Sequence, residues 1–267
     1  MCVSTPTRKP LDRVALWSLL SEKSDFWTAV DVVAVTGSTN ADLAAAARDG
    51  AEEGRVLIAE IQSSGRGRLD RTWTSPEGAG LTMSLLLRPT LPRELWGTLG
   101  LVAAVALAEA LRDVCGLDPK LKWPNDLLLD GRKACGILAQ VEGDAAVLGV
   151  GLNVSLTEEE LPVPHATSLL LAGAAVLDRA TIAAAFLDRF AAAYRTWNEE
   201  GPAPAIERWR RDSATLGSQV AVSFPNGRKL SGRAVGIDAD GCLQIDPGDG
   251  AVETIAAGDI VHLRPHD

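Results

Sequence analysis

The chain is poor in the residues that build metal centres and disulfide frameworks. Its 267 residues include three His and four Cys, at positions 2, 115, 135 and 242, and no two Cys have C-x-x-C spacing. This pattern favours reduced thiols over a zinc site or a disulfide framework. We therefore expect a cytoplasmic protein without a structural metal.

Positive charge is also scarce, because 26 Lys and Arg stand against 35 Asp and Glu and give a net charge of −9. Proteins that bind nucleic acid without sequence preference need a basic surface. The balance predicts no nucleic-acid partner, although a local basic patch remains compatible with it.

Long apolar runs are missing as well. The longest, Leu99 to Ala108, is too short to span a bilayer. Near the N-terminus, Arg8 and Lys9 precede an apolar run that Asp12 and Arg13 interrupt, which is a poor signal peptide. The sequence therefore predicts no membrane association.

The hydrophobic and charged fractions, 46% and 23%, are ordinary for a soluble globular protein. Strand patterns alternate with helical patterns up to residue 214, which predicts an α+β domain over 1–214. Close-spaced short strands then predict a small all-β barrel over 215–267, with Asn-Gly and Asp-Gly at its turns. Strands are predicted over 31–35, 56–61, 80–88, 122–123, 127–129, 136–141, 146–154, 220–224, 229–237, 242–245 and 253–255. Helices are predicted over 10–20, 41–48, 95–114, 180–197 and 203–211.

An Arg- and Gly-rich loop follows the second strand and reads Gly65-Arg66-Gly67-Arg68. Glycine permits close backbone approach, and guanidinium groups bind phosphate or carboxylate. The loop is neither a Walker A motif nor a dinucleotide fingerprint. A solvated surface loop is the alternative, but three clustered Arg, at positions 66, 68 and 71, favour an anion site in an acidic chain.

A second candidate segment is Lys122-Trp123-Pro124-Asn125-Asp126. Lys122, at the end of a strand, is suited to stabilise an oxyanion or a transferring phosphoryl group. The Asp126 carboxylate is suited to a nucleotide-bound Mg²⁺. Taken alone, a solvated edge lysine and a turn-forming Asn-Asp pair explain the segment equally well.

Ser38, Thr39 and Asn40 stand at a corner between a strand and a helix. Thr39 with Asp42 fits a capping box, while Ser38 and Asn40 remain available for a polar ligand.

Three glycines inside predicted strands, Gly136, Gly149 and Gly151, indicate the close approach of a ligand or of another backbone. Asn153 in the same apolar strand must find a polar partner, which is more often structural. The three His are remote in sequence from these segments, and no Ser/His/Asp set is apparent. Such a site suits chemistry whose nucleophile comes with the substrate.

In this order, the segments resemble the biotin protein ligases, the biotin–[acetyl-CoA-carboxylase] ligases. The resemblance covers residues 36–169 and extends to the C-terminal β segment, which fits the SH3-like barrel of these enzymes. It implies an α+β fold with a mixed-sheet biotin/lipoate ligase-like catalytic domain. The matching motifs are 37–40, Gln62 with 65–68, 71–73, 75–78, 122–126, 136–138, 149–153 and 166–169.

The resemblance implies a two-step reaction, in which biotin and MgATP form biotinyl-5′-AMP and a lysine of a biotin carboxyl carrier domain then accepts biotin. Lys122 and Arg68 would be catalytic, and Asp126 would bind the metal. The biotin or biotinyl-AMP side would comprise Ser38, Thr39, Asn40, Gln62, Gly65, Arg66, Gly67, Arg68, Lys122 and Gly136. The ATP side would comprise Trp73, Asn125 and Asn153. The resemblance further implies that the Arg loop is ordered by ligand.

Two departures from the family pattern stand out. Gln140 occupies the position where the family strand Gly-Ile-Leu-x-Glu has Glu, so an amide would replace a carboxylate. The short segment before the first strand also predicts a ligase without operator binding. The oligomeric state stays open between monomer and homodimer.

Three alternative functions differ from a ligase in the sequence features that they require. A lipoate–protein or octanoyl transferase-like enzyme should lack the Arg loop and the barrel. A catalytically inactive sensor of biotin or its adenylate should have lost Arg68 or Lys122. A transcription factor of the same family is disfavoured by the acidic charge.

Overall fold

A computed structural model describes residues 8–68, 71–224, 227–256 and 258–262. The helices are α1 Arg13–Ser21, α2 Thr39–Arg48, α3 Leu99–Cys115, α4 Arg179–Glu200 and α5 Ala203–Asp212, with 3-10 helices at Arg93–Thr98 and Glu158–Glu160. The strands are β1 Ala29–Thr36, β2 Arg55–Gln62, β3 Gly80–Leu87, β4 Lys120–Lys122, β5 Asp126–Leu129, β6 Arg132–Glu142, β7 Ala145–Asn153, β8 Gln219–Ser223, β9 Lys229–Ile237, β10 Leu243–Asp246, β11 Glu253–Ile255 and β12 Asp259–His262.

Strands β1 to β7 form one mixed sheet in the order β1-β2-β3-β7-β6-β5-β4. Only β1 and β2 pair in parallel among the described strands of this sheet, and the remaining pairs are antiparallel. Two-residue turns at Asp130-Gly131 and Gly143-Asp144 join the β5–β6 and β6–β7 hairpins. Asp130 and Gly131 both have positive φ, 49° and 75°, as the twist of a tight hairpin requires. The predicted α+β class and both hairpins are confirmed.

Helices cover the two faces of this sheet. Helices α3 and α4 pack against the larger apolar face. Leu148, Val150 and Leu152 of β7 belong to the same apolar core as these helices. Helix α2 covers part of the opposite face, where Leu43 packs with Val147. Strand β3 lies between the two layers, so all eight of its residues are buried. This two-sided burial explains why its sequence shows a continuous apolar run rather than alternation.

The helix predicted over 95–114 lies within one long helical stretch, Arg93–Cys115, which extends beyond the apolar run 99–108. It is 23 residues long and apolar enough to cross a membrane by length and composition, but 78% of the relevant window is buried inside the protein. It is the central core helix, with Val102, Ala106 and Leu107 at 0–1% exposure.

The C-terminal segment is all-β, as predicted, with five described strands rather than four. They form one antiparallel sheet in the order β11-β10-β9-β8-β12. The additional strand β12 pairs with β8, with His262 opposite Val220. Side chains of this sheet, such as Val220 and Leu243, belong to the same apolar core as the larger domain. The division into domains 1–214 and 215–267 stays a prediction.

The described cysteines Cys115, Cys135 and Cys242 are free. Burial raises the pKa of the Cys115 thiol to about 11 and also raises the pKa of Cys135. Both thiols are therefore protonated at neutral pH. Cys135 points into the core, although it lies within a motif.

Candidate active site

On one face of the mixed sheet, beyond the N-terminus of α2, small residues leave room for a cleft. Successive side chains of a strand alternate between faces, and Gly149 and Gly151 lie on the α2 face of β7. Gly136 of β6 pairs directly with Gly151, and Thr82 and Ser84 of β3 flank the same positions. The resulting cleft has a volume of about 910 Å³.

A network of uncharged polar side chains lies on one side of this cleft. Gln62 Oε1 accepts hydrogen bonds from the Thr39 backbone N–H, at 2.8 Å, and from its hydroxyl, at 3.0 Å. Ser84 Oγ lies 2.7 Å from Thr39 Oγ1 and 2.6 Å from Asn40 Oδ1. Asn40 Nδ2 donates to Gln140 Oε1 at 2.7 Å. These contacts fix the orientation of each amide in a buried, neutral pocket.

The expected capping box is wrong in its register. Ser38, not Thr39, is the N-cap of α2, and its side chain accepts from the Ala41 N–H. The Asp42 carboxylate instead accepts from the Thr36 hydroxyl. Helix α2 therefore begins at Thr39 and carries Thr39 and Asn40 into the site on its first turn.

The Arg loop is held closed at its base by backbone hydrogen bonds. Trp73 N donates to Gly65 O at 2.9 Å, and Gly67 N donates to Arg71 O at 2.6 Å. A Cβ on Gly65 would lie 2.3 Å from Trp73 O, so this position excludes a side chain. Leu69 and Asp70 of the loop lie outside the described residues.

The β4–β5 hairpin brings Lys122 and Asp126 into register across its tip. The Trp123–Pro124 peptide bond within the tip is cis. Asp126 Oδ1 lies 2.5 Å from Lys133 Nζ on the neighbouring strand, and both side chains are largely withdrawn from solvent. The hairpin therefore presents an ammonium group beside a paired carboxylate.

The indole of Trp73 lies over the glycine face. A Cβ on Gly151 would lie 2.4 Å from Trp73 Cε2, and one on Gly136 would lie 3.3 Å from the same ring. Lys133 Nζ lies 6.0 Å from the ring centroid, within the range of a cation–π contact. The glycines thus leave the space that the indole occupies.

Two Asn side chains are held against backbone carbonyls. Asn125 Nδ2 donates to Ile137 O at 2.8 Å, and Asn153 Nδ2 donates to Thr167 O at 2.9 Å. Within the described part of the chain, Asn153 Oδ1 and Trp73 Nε1 are buried and have no hydrogen-bond partner. Unpaired buried polar atoms are costly, so these two mark places where a ligand or water would be accommodated.

The expectation that all His lie apart from the motifs is wrong. The exposed His165 and the half-buried His262 both line the cleft. His262 arrives on β12, together with Ile260 and Val261, so the C-terminal sheet forms one wall. Burial lowers the pKa of His262, and the neighbouring Lys122 charge lowers it further.

The cleft is strongly positive within an acidic protein. Asp126 is the only acidic side chain among the described lining residues. The basic lining residues are Arg66, Arg68, Arg71, Lys122 and Lys133. Among the residues that the structure describes, no cluster of three or more His, Cys, Asp or Glu could hold a metal ion on its own.

The structure brings nearly all the sequence-predicted site residues together. Gly65 is the exception, because it is buried behind the loop and does not line the cleft. The predicted residues that do line it are Ser38, Thr39, Asn40, Gln62, Arg66, Gly67, Arg68, Trp73, Lys122, Asn125, Asp126, Gly136 and Asn153.

Sequence reasoning missed Ser84, Lys133 and His262. Ser84 could have been found as a polar residue inside an apolar strand. By simple alternation Lys133 would share the face of Cys135, which points into the core. The irregular β5–β6 pairing breaks this alternation, and Lys133 pairs with Asp126 at the cleft. No feature of the sequence around His262 indicates that it lines the cleft, because its position there depends on how the C-terminal sheet packs.

Two family models match the chain: the Biotin/lipoate A/B protein ligase family over residues 32–156 and the Biotin protein ligase C terminal domain over 215–263. The chain is 43% identical over 262 residues to the biotin--[acetyl-CoA-carboxylase] ligase of Mycobacterium tuberculosis, which covers 96% of this chain and 97% of that relative. The chain belongs to the biotin protein ligase family.

Further relatives within this family support the assignment. The bifunctional ligase/repressor BirA of Bacillus subtilis is 34% identical over 86% of this chain and 72% of its own length. The biotin protein ligase from Aquifex aeolicus, solved in complex with biotin and ATP, superposes with a TM-score of 0.78 at 26% identity and covers 89% of this chain and 100% of its own. The family and fold that the motifs predicted are confirmed.

Proposed function

We propose that this chain activates biotin with MgATP to biotinyl-5′-AMP and then transfers biotin to a lysine of a biotin carboxyl carrier domain of an acyl-CoA carboxylase. The observation that carries this proposal is a group of neutral, hydrogen-bonded polar side chains in the same cleft as five basic side chains and one acid. The neutral part suits the uncharged ring system of biotin. The basic part suits a carboxylate and a triphosphate.

The biotin ring system is assigned to the pocket at the start of α2. Ser38, Thr39 and Asn40 are at most 5% exposed, so this part of the cleft is enclosed. A ligand that contacts these side chains would be largely removed from water. Gln62 lines the pocket from β2. Gly136 contributes no side chain, and the Trp73 indole and the Lys133 side chain occupy the space beside it. Gly65, assigned to the biotin side by family resemblance, supports this region by allowing the loop base to close.

The first step joins two anions, and their repulsion must be offset. The biotin carboxylate attacks the α-phosphorus, the α–β bridging bond breaks, and pyrophosphate leaves. Lys122 and Arg68 both line the cleft, and their charges are suited to stabilise the negative charge that builds on the α-phosphate. Arg66 and the Gly67 backbone line the same side of the cleft.

The second step uses the same groups. The carrier lysine amine attacks the carbonyl carbon of the mixed anhydride and an amide bond forms. The bond between the carbonyl carbon and the phosphate oxygen breaks, AMP leaves with its electron pair, and the proton lost by the amine passes to solvent or to the AMP phosphate. Lys122 is suited to stabilise the oxyanion and the departing phosphate. The nucleophile comes with the carrier, which agrees with a site that has no Ser/His/Asp set among its described residues.

The nucleotide base is assigned to the glycine face, next to Trp73, Asn125 and Asn153. The unpaired Asn153 Oδ1 and Trp73 Nε1 support this, because each is a buried hydrogen-bonding atom left without a partner in the described structure. The indole also offers a flat surface for stacking.

Asp126 is assigned to the magnesium that accompanies ATP. Mg²⁺ in nucleotide sites is commonly held by one or two carboxylates plus the phosphates, and a single acid at the cleft fits this pattern. The ion would polarise the phosphates. Lys133, which now neutralises Asp126, would then be available to a phosphate oxygen.

Lipoate is the second candidate substrate, because one matching family includes both biotin and lipoate ligases. The match of the C-terminal segment to the biotin protein ligase C-terminal domain favours biotin. A cytoplasmic location and the absence of nucleic-acid binding stay predictions.

The transfer activity is tested by mixing the chain with biotin, MgATP and an apo carrier domain and measuring the carrier mass. We expect the mass to increase by one biotinyl group, and a carrier with its acceptor Lys replaced by Arg should stay unmodified. An unmodified wild-type carrier under saturating biotin and ATP would contradict the proposal.

A further inference from the structure

The C-terminal sheet is hydrogen-bonded to the strand that carries Lys122. The backbone N–H of Trp123, the residue after Lys122, donates to Thr215 Oγ1 at 3.0 Å. Thr215 Oγ1 in turn lies 3.2 Å from His262 Nε2. Thr215 is fully buried, whereas His262 is half-buried and lines the cleft.

The hydrogen bonds from Trp123 through Thr215 to His262 are consistent with a neutral imidazole. The Thr215 oxygen already accepts from Trp123, so its own O–H is available to donate, and an unprotonated Nε2 is the acceptor within reach. A protonated ring would instead donate from Nε2. The Thr215 hydroxyl hydrogen would then lose this acceptor.

Charge leads to the same conclusion. Among the described residues, the charged side chain whose field lowers the pKa of His262 is Lys122. On β8, the register partner of His262 is Val220, which carries no charge, and its neighbours Gln219 and Ala221 are also uncharged. Thr215 contributes only its hydroxyl. Asp126, in register with Lys122 across the hairpin tip, is itself paired with Lys133. An imidazolium would therefore face the Lys122 ammonium without an unpaired carboxylate on these elements.

We propose that His262 is a positioning residue that holds the Lys122 strand through Thr215 and acts as an acid-sensitive brake on biotin activation. The inference rests on the proposed function of Lys122. In the neutral state, His262 fixes the backbone next to Lys122. In the protonated state, the ring repels Lys122 and no longer accepts a hydrogen bond from the Thr215 hydroxyl, so adenylation slows.

The pH profile follows from the sign of the shift. The pKa of His262 lies below the ordinary 6.5, because burial and Lys122 both disfavour the charged form. Activity should therefore be full at pH 7.5 and fall below pH 6.5, by up to about tenfold per pH unit once the ring is mostly protonated. Titration of the ATP phosphates acts equally on every variant and can be subtracted.

The test is the pH profile of biotin-dependent pyrophosphate exchange for three variants. His262→Gln keeps an acceptor near Nε2 but cannot titrate, so it should retain activity at pH 7.5 and lose the acid decline that the wild type shows. His262→Leu removes the acceptor and should lower activity at every pH, on the order of tenfold, with a flat profile. His165→Gln is the matched control, because His165 also lines the cleft, and it should keep the wild-type decline.

A second readout is independent of activity. In the ligand-free protein, NMR titration of the imidazole Cε1–H signals should show that Lys122→Ala raises the His262 pKa toward 6.5. Lys120→Ala, on the same strand, should leave it unchanged.

A His262→Gln profile identical to the wild type, or a His262 pKa that ignores Lys122→Ala, would overturn the inference. A wild-type chain with no biotin-dependent exchange would instead overturn the proposed function. The NMR titration would still decide whether His262 and Lys122 are coupled.

Discussion

Asn40 Nδ2 donates a 2.7 Å hydrogen bond to Gln140 Oε1, so the amide at position 140 supplies the acceptor that a Glu carboxylate would supply there. The bond needs only an acceptor oxygen, which both Gln and Glu supply. Gln140 is half-buried at the edge of the pocket, so the position does not require a neutral side chain.

Gln140→Glu should therefore leave the KM for biotin within about threefold of the wild type, because the acceptor is preserved. Gln140→Leu should raise it further, because the loss of a buried acceptor costs about 1–3 kcal/mol. Steady-state kinetics with varied biotin measure both. A Gln140→Leu enzyme with wild-type affinity for biotin would show that the Asn40 orientation does not depend on this contact.

Lys122→Ala and Arg68→Ala should each slow biotinyl-AMP formation by about 100-fold, which corresponds to about 3 kcal/mol of lost transition-state stabilisation. Single-turnover formation of the adenylate is the measurement. Lys120→Ala is the matched control, because Lys120 lies on the same strand but is about half exposed and pairs with Asp118. If either site variant formed adenylate at the wild-type rate, its catalytic role would be wrong.

Asp126→Asn should shift the Mg²⁺ dependence of adenylation to higher concentration, because a carboxylate ligand is lost. The change also removes the ionic partner of Lys133, so the maximal rate is expected to change as well. Rates are measured across a titration of free Mg²⁺ at fixed ATP. Asp118→Asn, at an exposed ion pair outside the cleft, is the control. An unaltered titration for Asp126→Asn would remove this residue from the metal site.

Gly151→Ala should weaken ATP binding more than biotin binding, because the new Cβ would lie 2.4 Å from Trp73 Cε2 and displace the indole. Overpacking commonly costs about 1–3 kcal/mol, so an increase of about tenfold in the KM for ATP is expected. Gly100→Ala, where nothing lies within 4 Å of the new Cβ, should leave both KM values unchanged. Equal effects on biotin and ATP would argue against Trp73 on the nucleotide side.

Arg179→Ala should destabilise the fold rather than the chemistry. The Arg179 guanidinium and the Glu60 carboxylate form a pair at 2.7 Å with side chains only 7% and 6% exposed. Removal of one partner leaves a buried charge and costs about 3–5 kcal/mol. Thermal unfolding measures the loss, with Arg48→Ala at the exposed Arg48–Glu142 pair as a control expected to cost at most about 1 kcal/mol. Similar Tm values for the two variants would contradict this account.

Much of the site could be predicted because its residues form recognisable patterns within short segments of the sequence. The glycines at 136, 149 and 151 interrupt apolar strands, and the structure shows that they vacate one face of the sheet. The two-residue hairpin turns follow from the positive φ values that Asp130 and Gly131 adopt. Such features depend on a few neighbouring residues, so a single sequence is enough to reveal them.

Other features depend on contacts between distant parts of the chain. The N-cap at Ser38 rather than Thr39 is a one-residue shift that several capping residues in a row leave undetermined. Strand β12 is only four residues long, and no local pattern reports that its His262 reaches Thr215 and the Lys122 strand. These placements are set by tertiary packing, which composition and spacing do not encode.

Acyl-adenylate chemistry on biotin is tested by exchange of labelled pyrophosphate into ATP with biotin, lipoate or octanoate as the acid. We expect exchange with biotin alone, and loss of this exchange in Lys122→Ala. Exchange with lipoate or octanoate in place of biotin, or no exchange by a wild-type chain that binds biotin, would contradict the proposed function.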